Sequence, residues 1–287
     1  MRRPHCSGNT FLADVKKHQN DTDDFNVWWL GQSGFLIQWL GKHLLMDPYL
    51  SESLTKKYAE TDKPHVRMTK RVIDPLQLDF IDVVTASHSH TDHLDPETLQ
   101  PLVQSNINLD LVVPAAVVDI AMERSNLPKD RLSLMNAGDT VESNGFLIHA
   151  IPSAHEEVET DENDDHYYLG YIVRFGPWTV YHSGDTVEYS ELEDTLAQCN
   201  LDLMFLPING RKPERRVAGN MWGNESAWLA KRVKARSVIP HHYNMFEFNT
   251  ENPDKFIAEA EQINQPYHVL ENGERWCSSQ LEKKYHV

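Results

Sequence analysis

Residues 81–93 read Ile-Asp-Val-Val-Thr-Ala-Ser-His-Ser-His-Thr-Asp-His, an apolar run that ends in a cluster of potential metal ligands. The run at 81–86 predicts a buried strand. Side chains two residues apart in an extended segment point the same way, so His88 and His90 can reach one ion from one side. Asp92 and His93 follow a turn and can face a second ion. The stretch therefore predicts a site for zinc, manganese or iron(II), which suit imidazole and carboxylate; the alternative is a surface turn that happens to be rich in histidine.

The ligands that one short loop cannot supply are expected at the ends of later strands. Candidates stand directly after predicted strands, where loops gather at one edge of a sheet: His155, Asp185 and the pair His241-His242. Gly184, immediately before Asp185, has no side chain and lets the backbone pass close to a metal. The prediction is that these residues meet the first cluster in space.

The strand and helix pattern predicts an α/β fold. Short β-rich runs stand at 27–30, 35–39, 43–46, 81–86, 111–113, 146–151, 169–175, 178–182, 201–206 and 237–239. Helical patterns stand at 96–104, 115–125, 225–234 and 253–262. Strands that cluster in each half, with helices between them, favour two sheets packed face to face with helices outside. We expect residues 1–24 to be a polar N-terminal extension and residues 25–287 to form a single domain.

The ordered set of a His-x-His-x-Asp-His loop, a lone His, a Gly-Asp and a late Pro-x-His resembles the metallo-β-lactamase superfamily. The resemblance covers roughly residues 26–275 and implies a four-layer αββα sandwich with the site at its open edge. It also implies the distribution of ligands between two divalent ions, zinc or manganese. One ion would be held by His88, His90 and His155, the other by Asp92, His93 and His242, with Asp185 as the bridge.

Two further residues are expected behind the ligands. Asp47 matches an aspartate that orients the histidine loop, although a simple turn before Pro48 would also explain it. His182 lies inside a strand pattern and is interpreted as a hydrogen-bonded histidine of the core or of the layer behind the ligands.

A narrower resemblance concerns Trp28-Trp29-Leu30-Gly31, residues 127–131, Tyr181-His182-Ser183-Gly184-Asp185 and residues 238–242. These segments are similar to the L-ascorbate-6-phosphate lactonase family. The sequence around His155 differs from that of the family, and an acidic insertion follows it. The resemblance implies an enzyme that uses a metal-bridging hydroxide to open a lactone of a small phosphorylated sugar-like substrate. The alternatives are a phosphodiesterase acting on a nucleotide, lipid or RNA end, and a metal-binding protein without turnover. Asp92 is the candidate catalytic residue, since its carboxylate can take and return a proton.

Residues 209–216 hold four bases within six positions of an acidic chain. Arg211 and Arg215 are therefore candidates for clamping a phosphate, and Tyr243 and Asn244, next to His242, are candidates for lining the pocket. A solvated basic loop is the alternative interpretation. The seven acids within 156–165 predict an exposed, hydrated loop or lid.

Net charge and cysteine content limit the partners. The formal charge of −16 disfavours long nucleic acid and anionic membrane surfaces, but it leaves room for a small, possibly anionic substrate near a metal cluster. The sequence contains no run of 18 apolar residues, so no membrane-spanning helix is predicted. Three scattered cysteines favour a reducing, cytoplasmic setting. Whether the chain forms a homo-oligomer is left open.

Overall fold

The computed structural model of the protein describes residues 1–281. Its strands are β1 (Asn26–Gly31), β2 (Gly34–Trp39), β3 (Lys42–Met46), β4 (Val83–Thr85), β5 (Asp110–Pro114), β6 (Leu132–Met135), β7 (Thr140–Ser143), β8 (Phe146–Pro152), β9 (Leu169–Phe175), β10 (Trp178–His182), β11 (Leu203–Pro207), β12 (Ser237–His241) and β13 (Arg275–Cys277). Its α-helices are α1 (Asn9–His18), α2 (Ser53–Lys57), α3 (Pro96–Ser105), α4 (Val118–Ser125), α5 (Leu192–Ala197), α6 (Gly223–Arg232) and α7 (Asp254–Gln262).

The strands form two sheets, of seven strands in the order β13-β1-β2-β3-β4-β5-β6 and of six in the order β12-β11-β10-β9-β8-β7. Alternation along the first sheet divides its side chains between two cores. Val27 and Trp29 join the core between the sheets, whereas Trp28 and Leu30 pack beneath the outer helices. The predicted arrangement of two stacked sheets with helices outside is thus confirmed.

Aromatic rings join the two sheets in the middle of the sandwich. Phe35 of β2 stacks on Phe205 of β11 with ring centroids 4.1 Å apart. Phe25, just before β1, meets Phe175 of β9 edge to face at 5.2 Å. Such pairs bury large apolar area and fix the spacing of the layers. They also fix which strand ends of one sheet face those of the other.

The N-terminal region contains a helix that the sequence pattern did not predict. Phe11 and Val15 of α1 are buried in the core beneath the first sheet, where Phe11 packs edge to face on Trp28. The Trp28 indole N–H also donates to Asp14 Oδ2 at 2.9 Å. Residues 9–18 are therefore packed against the sandwich. The acidic loop 156–165, by contrast, is mostly exposed, as expected.

Strand direction places all the later ligands at one edge. β3 and β4 run parallel, as do β10, β11 and β12. β8 and β10 each pair antiparallel with β9, so they share a direction. The carboxyl ends of these strands open at the same edge of the sandwich. No helix among residues 1–281 is long and apolar enough to cross a membrane.

Candidate metal centre

The structure brings the seven predicted ligands together. Their ligand atoms fall into three overlapping groups, in each of which every atom lies within 4.8 Å of the others. The groups are His88, His90 and His155; His88, His93 and Asp185; and Asp92, His93 and His242. The four residues of the histidine loop follow β4 of the seven-stranded sheet, and the other three follow β8, β10 and β12 of the six-stranded sheet. The cluster therefore spans both sheets.

Asp185 lies between the His88–His90–His155 group and the Asp92–His93–His242 group. Its Oδ1 is 3.4 Å from His93 Nε2, and its Oδ2 is 3.4 Å from His242 Nε2 and 3.9 Å from His155 Nε2. The carboxylate thus faces one member of the His88–His90–His155 group and two members of the Asp92–His93–His242 group. A single side chain in this position can contact ions in both.

The buried polar atoms of the cluster fit a metal. Within residues 1–281, the Nε2 atoms of His88 and His93 and Oδ1 of Asp185 have no hydrogen-bond partner although they are buried. Leaving a buried donor or acceptor unsatisfied costs about 1–3 kcal/mol, so such atoms usually have a ligand. Imidazole nitrogen and carboxylate oxygen together are the donors that zinc and manganese accept. The residues present therefore fit divalent cations.

Asp47 holds the histidine loop from behind. It is fully buried at the end of β3, and its Oδ1 accepts the Ser87 N–H at 2.9 Å. Its Oδ2 accepts the Ser87 hydroxyl and lies 2.5 Å from His93 Nδ1. A carboxylate on Nδ1 leaves Nε2 of His93 as the ligand atom. Asp47 thus contacts the histidine loop at two residues, Ser87 and His93.

The turn that carries Asp185 depends on a glycine and on His182. Gly184 has φ +59°, and a Cβ there would come within 2.6 Å of Ser87 Cβ. His182 accepts the Gly184 N–H on Nδ1 at 3.0 Å and donates from Nε2 to the Ser33 carbonyl at 2.8 Å. Both ring nitrogens are thus used, and burial lowers the pKa of His182, which keeps the ring neutral. His182 supports the ligand turn without being a ligand.

Gln32 is a residue of the site that the sequence interpretation missed. It lies in the turn between β1 and β2. Its Nε2 donates to Asp92 Oδ2 at 2.8 Å and lies 3.0 Å from His242 Nε2. The backbone carbonyl of Gln32 accepts the backbone N–H of His242 at 3.0 Å and the indole N–H of Trp29 at 3.0 Å. No local signal points to its role, because the two ligands that it contacts, Asp92 and His242, lie far away in the sequence.

Three non-glycine residues at the site have a left-handed backbone. They are Gln32 with φ +50°, Asp47 with φ +42° and His242 with φ +62°. Each such residue costs of order ~1 kcal/mol and persists only where the surroundings enforce it. The fold therefore keeps strained backbone where the ligands converge, as functional sites often do.

The cluster is also electrostatically coupled. Burial alone would lower the pKa of His93, but Asp185, Asp92 and Asp47 raise it well above its usual value. Burial alone would raise the pKa of Asp185, but His242 and His93 hold it well below the usual range. Burial and the neighbouring histidines lower the pKa of His88, which leaves a neutral imidazole ready to bind a cation.

A cavity of about 460 Å³ opens over the cluster. His90, Asp92, His155, Asp185 and His242 form its floor. Its walls are formed by Leu54, Lys57, Tyr58, Lys63, His65, Arg124, Val217, Ala218 and Asn249, among others. The volume suits a small molecule.

Arg211 and Arg215, predicted to bind substrate, do not line this cavity. Arg211 makes two hydrogen bonds of 2.6 Å to the Glu225 carboxylate. Arg215 donates to Glu251 at 2.5 Å and to Asn249 at 3.1 Å, so it braces the cavity wall from behind. Acidic partners from distant segments neutralise the basic loop, and this corrects its predicted role.

Tyr243 and Asn244 also point elsewhere. Tyr243 is 1% exposed, stacks on Trp29 at 4.4 Å and donates its hydroxyl to the Leu270 carbonyl. The Asn244 carbonyl accepts the hydroxyl of Thr69, and Asn244 borders a separate cavity of about 290 Å³. Both residues support the loop after His242 and do not face the metal cluster, which corrects their predicted role.

Comparisons with known proteins agree with this geometry. The model of the family described as "Beta-lactamase superfamily domain" matches residues 26–242. A metal-dependent hydrolase of Methanosarcina mazei is 25% identical over 244 residues, which cover 83% of this chain and 91% of that protein. A protein of Escherichia coli described as "Probable L-ascorbate-6-phosphate lactonase" is 24% identical over 269 residues, which cover 83% of this chain and 75% of that protein.

A solved structure supports the fold. The metallo-β-lactamase fold protein YhfI from Bacillus subtilis superposes with a TM-score of 0.62 at 19% identity, covering 89% of this chain and all of that chain. With the matching family model and the clustered ligands, this identifies the chain as a member of the metallo-β-lactamase superfamily, and within it as a metal-dependent hydrolase.

Proposed function

We propose that the protein is a binuclear hydrolase that opens a lactone, or cleaves a related ester, in a small phosphorylated sugar-like substrate. The observation that carries the proposal is the pair of ligand groups joined by Asp185 at the floor of a small-molecule cavity. A structural zinc site is closed by four ligands, whereas this cluster opens onto a cavity. The lactone is suggested by the similarity to the Escherichia coli protein described as a probable L-ascorbate-6-phosphate lactonase.

Bound zinc or manganese would supply Lewis acidity and lower the pKa of water to about 7. The protein's own residues supply position and proton transfer. Asp92 borders the cavity, and His93 and other histidines hold its pKa below the usual value although burial opposes this. It is therefore ionised at neutral pH and can accept a proton from the attacking water and return it to the leaving oxygen. Gln32 and Asp47 keep Asp92 and His93 in place through the hydrogen bonds described above.

Metal analysis of the purified protein, followed by hydrolysis assays, tests the proposal. We expect two divalent ions per chain, and hydrolysis of phosphorylated lactones that a chelator abolishes and added zinc or manganese restores. Hydrolysis that survives complete metal removal would contradict it. Turnover of phosphodiesters with no turnover of lactones would replace the lactonase by a phosphodiesterase.

The substitution Asp185→Asn tests the bridging position. We expect it to lower metal content and to reduce turnover at least about a hundredfold, because the carboxylate that would contact both ions is lost. Asp79→Asn, at an exposed position away from the site, is the matched control and should leave both unchanged. Full metal content and turnover in Asp185→Asn would refute the binuclear arrangement.

A further inference from the structure

Three basic side chains line the cavity without an acidic partner. Lys57, Lys63 and Arg124 border the same space as the metal cluster. Within the described residues 1–281, no carboxylate lies within ion-pair distance of any of them. The chain as a whole has a net charge of −16, yet these three cations line the cavity that also holds the metal cluster.

The other bases of two segments beside the cavity, 51–67 and 211–219, are all paired with acids. The six in residues 51–67 and 211–219 are Lys56, Arg67, Arg211, Lys212, Arg215 and Arg216, which form ion pairs with Glu97, Glu52, Glu225, Glu251, Glu251 and Asp62 respectively. Lys57 directly follows Lys56 in α2, yet only Lys57 borders the cavity. Within residues 51–67 and 211–219, the two bases without an acidic partner, Lys57 and Lys63, are therefore the two that border the cavity.

Two of the three cations are held in place by backbone carbonyls. Lys63 Nζ donates to the Arg216 carbonyl at 2.5 Å, and Arg124 Nη1 donates to the Ser89 carbonyl at 2.5 Å. An ammonium has three donors and a guanidinium has five, so both keep donors for a further partner. Lys57 is exposed, with Nζ 5.3 Å from the centre of the Tyr58 ring. Anchored cations lose less conformational entropy when a ligand binds.

We propose that Lys57, Lys63 and Arg124 form an anion-binding wall that takes the phosphate or carboxylate group of a small substrate whose reacting bond lies over the metal cluster. This inference rests on the proposed function, in which the two acids that face the cavity, Asp92 and Asp185, bind cations. The wall then makes the electrostatic potential positive inside the cavity, although the chain as a whole is negative, and this potential attracts a small anion into the cavity. It takes the role that the sequence suggested for Arg211 and Arg215.

Binding to the metal-loaded full chain tests the wall without requiring turnover. The probes are glucose 6-phosphate, gluconate and glucose, measured by titration calorimetry at low and at high salt. We expect an anionic probe to bind more tightly than glucose, and the preference to shrink at high salt. In the double variant Lys57→Gln/Lys63→Gln its Kd should rise about tenfold, since two partly exposed charge contacts are lost. Arg124 is left intact because it also supports the histidine loop.

Lys56→Gln is the matched control, a neighbour in the same helix whose ammonium is bound to Glu97. It should bind the anionic probes like the unaltered protein. Equal binding of anionic probes by the double variant and the control would overturn the wall, and so would an unaltered protein that prefers neither anion to glucose. If phosphate binds and gluconate does not, the wall selects phosphate. Lysine-dependent binding in a protein that hydrolyses no lactone would refute the proposed function and leave the wall standing.

Discussion

Gln32 contacts two ligands that lie 60 and 210 residues away from it in the sequence. Its amide faces Asp92 and His242, and its carbonyl accepts the N–H of His242. One residue of a turn in the first sheet therefore positions a ligand from each sheet. We expect Gln32 to be a positioning residue that acts through Asp92 and His242.

Gln32→Ala should weaken the Asp92–His93–His242 group. Loss of a hydrogen-bond partner behind a ligand commonly costs about 10–100-fold in metal affinity, and we expect about tenfold for the weaker-binding ion. Competitive metal titration measures it. Gln104→Ala, on the exposed side of α3, is the control. Unchanged affinity for both ions alongside a lowered melting temperature would show that Gln32 has only a structural role.

At the residue scale, the sequence predicted the candidate metal ligands that directly follow a strand. His155, Asp185 and the pair His241-His242 were found in this way, because strand ends converge at a sheet edge, and the resemblance to the metallo-β-lactamase superfamily singled out His242. Side chains whose role depends on distant partners were not found. Arg211 was assigned to substrate because its partner Glu225 has no recognisable relation to it in the sequence. Lys57 was passed over because nothing local marks a base as unpaired.

Among the elements, strands with continuous apolar runs were predicted, whereas β13 and α1 were missed. β9 and β10 were recognised from apolar runs joined by a Gly-Pro turn. β13 has three residues, too few to show a period, and α1 buries only Phe11 and Val15 along ten residues. Both elements form because tertiary packing compensates for weak local preference. They complete the first sheet and cover its outer face.

Phe11→Ala tests whether α1 is part of the sandwich. Truncating a fully buried phenylalanine should lower the free energy of unfolding by about 3–5 kcal/mol. Chemical denaturation measures this loss, with Ile107→Ala, at a side chain 78% exposed, as the control. A loss no larger than that of the control would mean that α1 contributes little and that residues 9–18 are a loosely attached extension.

For the whole molecule, the ligands tie one sheet to the other. The histidine loop belongs to the seven-stranded sheet, and His155, Asp185 and His242 belong to the six-stranded sheet. Ions bound between them would hold the open edge together. A ligand present at about a thousand times its Kd stabilises the folded state by ~4 kcal/mol.

Removal of metal should therefore lower the melting temperature. A loss of that size corresponds to about 10 °C for a chain of this length. Differential scanning calorimetry with and without chelator measures the shift. Asp185→Asn should respond less than the unaltered protein, because it holds less metal. An identical melting temperature before and after complete demetallation would show that the ions do not join the sheets.

The floor and the walls of the cavity are built by different kinds of chain segment. Its floor is built on strand ends that the sandwich cannot alter without losing its core, whereas Lys57, Tyr58, Lys63 and His65 belong to a peripheral stretch between β3 and β4. That stretch can therefore diverge in length and chemistry while the reaction centre stays the same. Grafting residues 51–67 onto a relative should therefore change its preference among substrates while leaving its metal ligands in place, which makes this segment a natural target for redesign.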